Sequence, residues 1–362
     1  MKKPILVVGG YGVVGLQIAQ VTRKQNVGIP IIIAGRSINK ASEAAAKIKN
    51  ASGIALDVSD IDPLANVNTE VGAVICAVND PDDALMRAAI TRGIPYIDIT
   101  RWTVRLHSAS LLASVLDITA PVVLSSSWMA GVCAIVAKKA TTELGVVEEI
   151  DTAILYRLAD KAGPNSVEYA DRLGIPFRVL KNGRWKTVKP MSEPLQTTFP
   201  GGYSGKAYRF DEPSQETLAL YTGAETVSSR IAYDSVSTTR VMALLVKSGI
   251  WGLISGPSFT KFRHSMLHNP GAGASHEVVI LVKGKGATGK EETIRATILD
   301  PEGQTHLTAV GAYIQLSETL GLDGQAPRAA GVYLPENTND PQSVIKTLEQ
   351  NGVKVNFEVS PL

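Results

Sequence analysis

Apolar residues in the first third of the chain fall in short unbroken runs, not in strict alternation. Such runs lie at 4–9, 30–34, 53–57, 72–78, 95–99 and 121–125. Bounded by Gly, Pro, Asn and Asp, they read as strands buried on both faces. Between them the spacing changes to a helical period, over 13–25, 39–49 and 81–91. Alternation of buried strand and helix predicts a parallel sheet with crossover helices. The third helix carries a start signal, with Asp80 as N-cap, Pro81 in the first helical position and acids in the first turn.

After Ser125-Ser126-Ser127 the pattern changes. Trp128 to Leu144 predicts one long helix and Ile150 to Arg157 a strand. Asn182-Gly183 between two strand-like runs predicts a tight hairpin over 178–188. Further strands are expected at 227–233, 276–283 and 292–300, with a Gly- and Lys-rich tip from Lys283 to Lys290 and a turn at 300–303. The Met and aromatic residues of 237–262 read as core or subunit interface. Leu307, Val310, Ile314, Leu316 and Leu320 mark a helix closed by Gly321, followed by a helix at 341–350 and a strand at 353–359. The expected fold is α/β. Residues 1–127 form a doubly wound parallel sheet, 128–304 an inserted α+β domain for substrate and dimerisation, and 305–362 a C-terminal segment packing back on the first domain.

The first strand runs directly into Gly10-Tyr11-Gly12-Val13-Val14-Gly15, and a helical pattern follows. This is G-x-G-x-x-G in the context that gives it meaning, between a strand and a helix. Gly10 permits the tight turn, Gly12 lets a pyrophosphate approach the backbone, and Gly15 lets the helix pack on the strand. The helix N-terminus offers N–H groups and partial positive charge to the phosphates. At the end of the second strand an NAD site needs an acid for the ribose 2′-hydroxyl. The strand instead ends Gly35-Arg36-Ser37. A guanidinium fork can pair with a 2′-phosphate, and a Ser hydroxyl can add a donor. The expected cofactor is NADP.

Composition excludes several alternatives. The chain has 362 residues, 44% hydrophobic and 19% charged, with a formal net charge of +2. No run of Lys and Arg, and no basic–aromatic alternation, indicates a nucleic-acid surface. Two cysteines, Cys76 and Cys133, lie in apolar runs and exclude a disulfide scaffold. Met1-Lys2-Lys3 before an apolar run is a weak mimic of a secretory signal, without a small-x-small cleavage site. The longest apolar stretch, Trp128 to Ala137, is too short to span a bilayer. A cytoplasmic protein with no membrane and no nucleic-acid partner is expected.

Beyond these features the chain resembles the saccharopine dehydrogenase-like (saccharopine reductase) superfamily of NADP-binding oxidoreductases. The matching elements are Val-Val-Gly-Gly10-Tyr-Gly12-Val-Val-Gly15, Ala34-Gly-Arg-Ser37 with Lys40-Ala41, and Leu56-Asp57-Val-Ser. They continue with Ala73-Val-Ile-Cys-Ala-Val78, Gly93-Ile-Pro-Tyr-Ile-Asp98-Ile-Thr100 and Gly331-Val-Tyr-Leu-Pro-Glu336. The resemblance spans most of the chain as an architecture and is specific over about the first 125 residues. It implies a dinucleotide-binding domain plus an inserted α+β domain that supports dimers and lines the substrate cleft. It also implies chemistry at a C–N bond of an amino acid or amine adduct. The chain departs from the family's Gly-Leu-Asp-Pro-Gly segment, where it has Ser125-Ser-Ser-Trp-Met-Ala-Gly131. The Asp of that segment has no counterpart, so the resemblance transfers no catalytic residue.

Remaining candidates lie mainly at strand ends, where doubly wound sheets bind ligands. Asp57 is implied by its position in the family to take the adenine amino group; capping a helix is the alternative. Ala77, Val78 and Asn79 are expected to touch the cofactor through backbone. Arg101 and Trp102 follow the fifth strand; Arg101 could hold a substrate carboxylate or pair with Asp98. Ser125 to Ser127 end the sixth strand, near the expected nicotinamide, and Ser126 is taken as a substrate contact; a polar helix cap at Ser127 is the alternative. His276, and Tyr169 beside Asp171 and Arg172, are candidate proton donors. His264 and His268 are four apart, but no carboxylate completes a metal set, and no metal is expected. These residues predict an NADP-dependent oxidoreductase, and a homodimer, acting on a small polar substrate, at a C=N or CH–NH bond or a carbonyl. The alternatives are an NADP(H) sensor without turnover and an enoyl or ketone reductase.

Overall fold

The structure is a computed structural model that describes residues 2–163, 169, 171–254, 257–259 and 271–361. It divides into two compact units. The first comprises residues up to Gly131 and Thr308–Thr338, the second Val132–Leu307 and Asn339–Leu362.

The first unit is built on seven parallel strands. These are β1 (Ile5–Val8), β2 (Ile31–Gly35), β3 (Ala51–Ala55), β4 (Ala73–Cys76), β5 (Tyr96–Asp98), β6 (Pro121–Leu124) and, after the excursion through the second unit, β15 (Gly331–Tyr333). Their order is β15-β6-β5-β4-β1-β2-β3, and every pair is parallel. Strands β1, β4, β5 and β6 are buried throughout, which explains their unbroken apolar sequences. Helices α1 (Val13–Gln25), α2 (Ile38–Ala45), α3 (Ala84–Thr91) and α4 (Thr103–Val115) connect them. Strand order reverses between β1 and β4, so the crevice of this doubly wound sheet opens at their carboxyl ends.

The third helix starts later than its sequence suggests. Helical geometry begins at Ala84, after Asp83 in the left-handed region at φ 57°. Asp80 still serves the helix, accepting the N–H groups of Ala84, Leu85 and Met86 at 3.0, 3.1 and 3.2 Å. Burial works to raise its carboxyl above the ordinary range.

The second unit is built on a mixed sheet. Its strands are β7 (Val146–Tyr156), β10 (Leu195–Thr198), β11 (Ser204–Arg209), β12 (Thr226–Tyr233), β13 (His276–Lys285), β14 (Glu291–Asp300) and β16 (Lys354–Pro361). They run in the order β10-β11-β12-β7-β13-β14-β16; β12 and β7 are parallel and the remaining pairs antiparallel. The Asn-Gly signal gives the hairpin β8 (Phe177–Lys181) and β9 (Arg184–Val188). Asn182 and Gly183 take φ 52° and 68°, as a type I′ turn needs.

Several boundaries differ from those read in the sequence; β3 (Ala51–Ala55) and β7 (Val146–Tyr156) begin earlier and α2 (Ile38–Ala45) ends earlier, and two shifts are larger. The long helix read from Trp128 begins only at Val132, as α5 (Val132–Thr141), because Met129, Ala130 and Gly131 take φ 56°, 50° and 91°. The C-terminal segment returns to the first unit only through 308–338. Beyond Asn339 the chain stays with the second unit, where β16 pairs along β14 from Lys354–Leu299 to Pro361–Glu292. The strand it forms there lies at the edge of the second sheet and is mostly exposed.

Candidate dinucleotide site

The glycine turn has the geometry its sequence requires. Gly9, at φ 82°, and Gly10 both donate to the Ala34 carbonyl, at 2.8 and 3.1 Å, which ties the turn to β2. A Cβ on Gly10 would lie 2.7 Å from the Val7 carbonyl oxygen, and one on Gly15 would lie 2.2 Å from that of Gly9. Gly12 differs: a Cβ there would meet only the Gly9 oxygen, at 3.1 Å, and otherwise open space. Gly12 is the N-cap of α1, which has no side-chain cap and no acid in its first turn. The amides of the Val13, Val14 and Gly15 turn are therefore left to an external anion. The residues present fit a dinucleotide pyrophosphate at this end of the helix.

The carboxyl end of β2 supplies the next part. Arg36 is exposed and Ser37 half-buried. Ser37 caps α2, its Oγ accepting the Lys40 N–H at 3.4 Å. The Tyr11 ring lies against Gly35, so closely that a Cβ there would be 2.5 Å from Cε1. The Ser37 N–H donates to the Tyr11 hydroxyl at 3.4 Å. Asp57 turns inward on its own loop, accepting the Ser59 N–H and hydroxyl at 3.0 and 2.7 Å. Those bonds, and after them the charge of Arg36, hold its carboxyl below the usual range.

At the switch point, Ala77 donates to the Val8 carbonyl at 2.9 Å. A Cβ on Gly9 would come within 2.4 Å of a Val78 methyl. The Thr100 hydroxyl donates to the Val78 carbonyl at 2.8 Å. The loops after β1, β4 and β5 are thus fastened to one another. Asn79 follows, half-buried.

Arg101 does not stand open at this edge. It is 3% exposed. Its Nε donates to Asp98 at 2.6 Å, and another guanidinium nitrogen donates to Asp83. Burial works against its charge, but Asp98 and Asp83 outweigh it, and its pKa is raised. The pairing alternative accounts for this residue, and the substrate-carboxylate expectation loses its geometric basis. Asp98 is fully committed as well. It accepts from the Tyr96 hydroxyl at 3.0 Å, the Thr100 N–H at 2.9 Å and the Ser126 hydroxyl at 2.8 Å. Ser126 is therefore a brace inside the unit. Trp102 is half-buried at the N-cap of α4.

Ser127, in the segment expected near the nicotinamide, stands apart from Ser125 and Ser126. Its hydroxyl is buried and has no hydrogen-bond partner among the described residues. It precedes three consecutive left-handed residues, Met129 to Gly131. A Cβ on Gly131 would lie 2.5 Å from Pro335, and the Ser125 hydroxyl donates to the Ala130 carbonyl at 2.7 Å. Costly backbone conformations held this firmly gather at functional sites. No sequence pattern announces three successive positive φ angles at Met, Ala and Gly.

In the second unit, His276 is 1% exposed at the start of β13, opposite Asp300 of β14. Burial, and then the charge of Arg157, push its pKa down to about 3. A ring held neutral in this way is no general acid near neutral pH, which corrects that expectation. Tyr169 packs against Phe210, ring centroids 5.4 Å apart. His264 and His268 lie outside the described residues. Among the described residues no cluster of His, Cys, Asp or Glu is arranged to hold a metal. Cys76 and Cys133 are unpaired and buried, and burial raises both thiol pKa values. No helix among the described residues is long and apolar enough to cross a membrane.

Comparison with known proteins supports this geometry. Residues 5–118 match the family model of the saccharopine dehydrogenase NADP binding domain. No curated protein sequence matches the chain. Among solved structures, the chain is similar to apo saccharopine dehydrogenase (L-Glu forming) from Saccharomyces cerevisiae. The TM-score is 0.70 and the identity 14%, over 99% of this chain and 100% of that one. A mutant meso-DAPDH from Clostridium tetani (TM-score 0.47, 14% identity, covering 96% and 99%) is more distant. So is a myo-inositol dehydrogenase from Corynebacterium glutamicum (0.43, 13%, 97% and 95%). The glycine turn and the Arg36 end of β2 both lie within residues 5–118, the stretch that matches the saccharopine dehydrogenase NADP binding domain.

Proposed function

We propose that this protein is an NADP-dependent oxidoreductase. It transfers hydride to or from a C=N or CH–NH bond, or a carbonyl, of a small polar substrate derived from an amino acid. The observation that carries the reading is the pairing of an uncapped α1 N-terminus at Gly12 with an exposed Arg36 where an NAD site would have an acid. The nicotinamide, when bound, supplies the hydride exchange. The chain's own part is to seat phosphates on the α1 amides, hold the adenosine end at Arg36 and Ser37, and present polar groups at the carboxyl ends of β4, β5 and β6. Ala77, Val78 and Asn79 would contribute backbone groups, and Asp57 the adenine contact. At the end of β6 the unpartnered Ser127 hydroxyl is the residue we assign to the substrate. Tyr169 is retained as the candidate proton donor.

The test is a titration of the whole chain with NADPH and NADH, followed by a substrate screen read by NADPH oxidation. Tight NADPH binding with turnover of an imine or amino-acid substrate supports the enzyme. Tight binding without turnover of any imine, ketone or enoyl substrate would favour the sensor. The neutral, buried His276 is the observation that keeps that second reading in view. We also propose a cytoplasmic homodimer built by the second unit. Its helices Val236–Lys247 and Ile250–Leu253 expose Val241, Leu244 and Leu253 at 54%, 66% and 78%. Light scattering at micromolar concentration tests it, and a monomer refutes it.

A further inference from the structure

We infer that Tyr11 is a specificity-determining residue, its hydroxyl forming part of the receptor for the 2′-phosphate of the dinucleotide. The inference rests on the NADP reading and adds a residue to it. In a doubly wound sheet the adenosine ribose lies beyond the carboxyl end of β2, where Gly35, Arg36 and Ser37 stand. Tyr11 belongs to the other loop, the glycine turn after β1, yet it reaches across to this point. The contact is built into the sequence of both loops. Any side chain at position 35 would strike the ring, at 2.5 Å from Cε1, 2.9 Å from Cζ and 3.1 Å from the hydroxyl oxygen.

The Tyr11 oxygen sits on the Ser37 amide, an N–H at the start of α2 that would otherwise face an anion. Both local bonds are long: Ser37 N–H to Tyr11 is 3.4 Å, and Lys40 N–H to Ser37 Oγ is also 3.4 Å. Bonds of that length are weak and readily exchanged. In accepting from Ser37, the phenol keeps its own proton to donate. A phosphate monoester beside it would draw on that O–H, on the Ser37 donors and on the exposed Arg36 fork, all charge-assisted. A ribose 2′-hydroxyl without phosphate offers no such charge. The phenol therefore discriminates between the two dinucleotides, while the ring carbons make the nearest approach to Gly35.

The experiment compares full-length protein with Tyr11→Phe and Arg36→Ala. It titrates NADPH and NADH, and then 2′,5′-ADP and 5′-AMP, which probe the adenosine end without the nicotinamide. Tyr11→Phe keeps the ring and is expected to weaken NADPH and 2′,5′-ADP about fivefold to tenfold, with NADH and 5′-AMP changed less than twofold. Equal weakening of both members of each pair would make Tyr11 a packing residue and overturn the inference. So would an unchanged or higher NADPH affinity. If Arg36→Ala erases the preference while Tyr11→Phe leaves it intact, the NADP reading stands and this inference fails. If the unmutated protein binds NADPH and NADH alike, the NADP reading itself fails. Gly35→Ala, which lifts the ring from its seat, provides a second variant and should reproduce the selective loss.

Discussion

Gly15 lies so close to Gly9 that a methyl group on it would come within 2.2 Å of the Gly9 carbonyl oxygen. The same methyl would be 2.8 Å from Gly10 Cα, so backbone surrounds it. The first turn of α1 is pressed onto the strand it follows, and only glycine allows that approach. A Cβ on Gly12, three residues earlier, would meet a single atom, the Gly9 oxygen, at 3.1 Å. The two glycines therefore separate folding from binding. Gly15→Ala should destabilise the first unit by about 1–3 kcal/mol, the usual cost of overpacking, seen as a lower Tm. Gly12→Val should leave the circular dichroism spectrum unchanged and abolish NADPH binding. Retained affinity in a folded Gly12→Val variant would place the cofactor elsewhere.

Arg36 is the residue proposed to set the cofactor preference. NADPH should bind at least about tenfold tighter than NADH, a difference on the order of 1.4 kcal/mol, and Arg36→Ala should remove most of it. Calorimetry on both variants checks this, and a variant that keeps its preference would refute the assignment.

Arg101 should behave as a residue of the fold. Its truncation strands the fully buried Asp98 without its counter-charge and leaves Asp83 with Arg105 alone. Breaking a buried pair in this way typically costs about 3–5 kcal/mol. Arg101→Ala should therefore lower the urea midpoint strongly. A stable variant whose KM alone rises would restore Arg101 to the substrate.

Ser127 should show the opposite pattern. A buried hydroxyl without a partner costs about 1–3 kcal/mol, so Ser127→Ala should leave Tm unchanged or raised. If the hydroxyl meets the substrate, kcat/KM should fall at least about tenfold while NADPH affinity is preserved. Unchanged turnover would remove Ser127 from the site.

Asp160 gives the stability of the second unit a pH dependence. Its carboxylate accepts the N–H groups of Gln304 and Lys161, at 2.8 and 2.7 Å, under the close approach of Gly303. Burial, against those bonds and with the charge of Asp300, raises its pKa from 3.8 to about 6. The folded state thus holds a proton that the unfolded state releases between these values. The group's contribution is complete below pH 3.8 and is lost as pH rises through about 6, a decline on the order of 3 kcal/mol. Between pH 4.5 and 7.5 the unfolding free energy of the unmutated protein should fall relative to that of Asp160→Asn. Parallel profiles would refute this.

What the sequence settles by itself is local. Unbroken apolar runs marked β1, β2, β4, β5 and β6, because a strand buried on both faces has no polar side to show; β3 is only partly buried, and the three-residue β15 carries no such run. G-x-G-x-x-G marked the turn, because each glycine answers a steric demand made within a few residues. Asn182-Gly183 marked its hairpin because both positions need positive φ. What required the tertiary structure depends on partners distant in sequence. Arg101 reads equally as ligand or brace until Asp83, eighteen positions earlier, is seen beside it. His276 reads as a proton donor until its burial next to Arg157 is known. The C-terminal strand reads as a return to the first sheet until its pairing with β14 in the second is seen. Tyr11 lies in a motif whose spacing is legible, but its meeting with Gly35 and Ser37 arises only when β1 and β2 pair in parallel and bring the two loops to one edge.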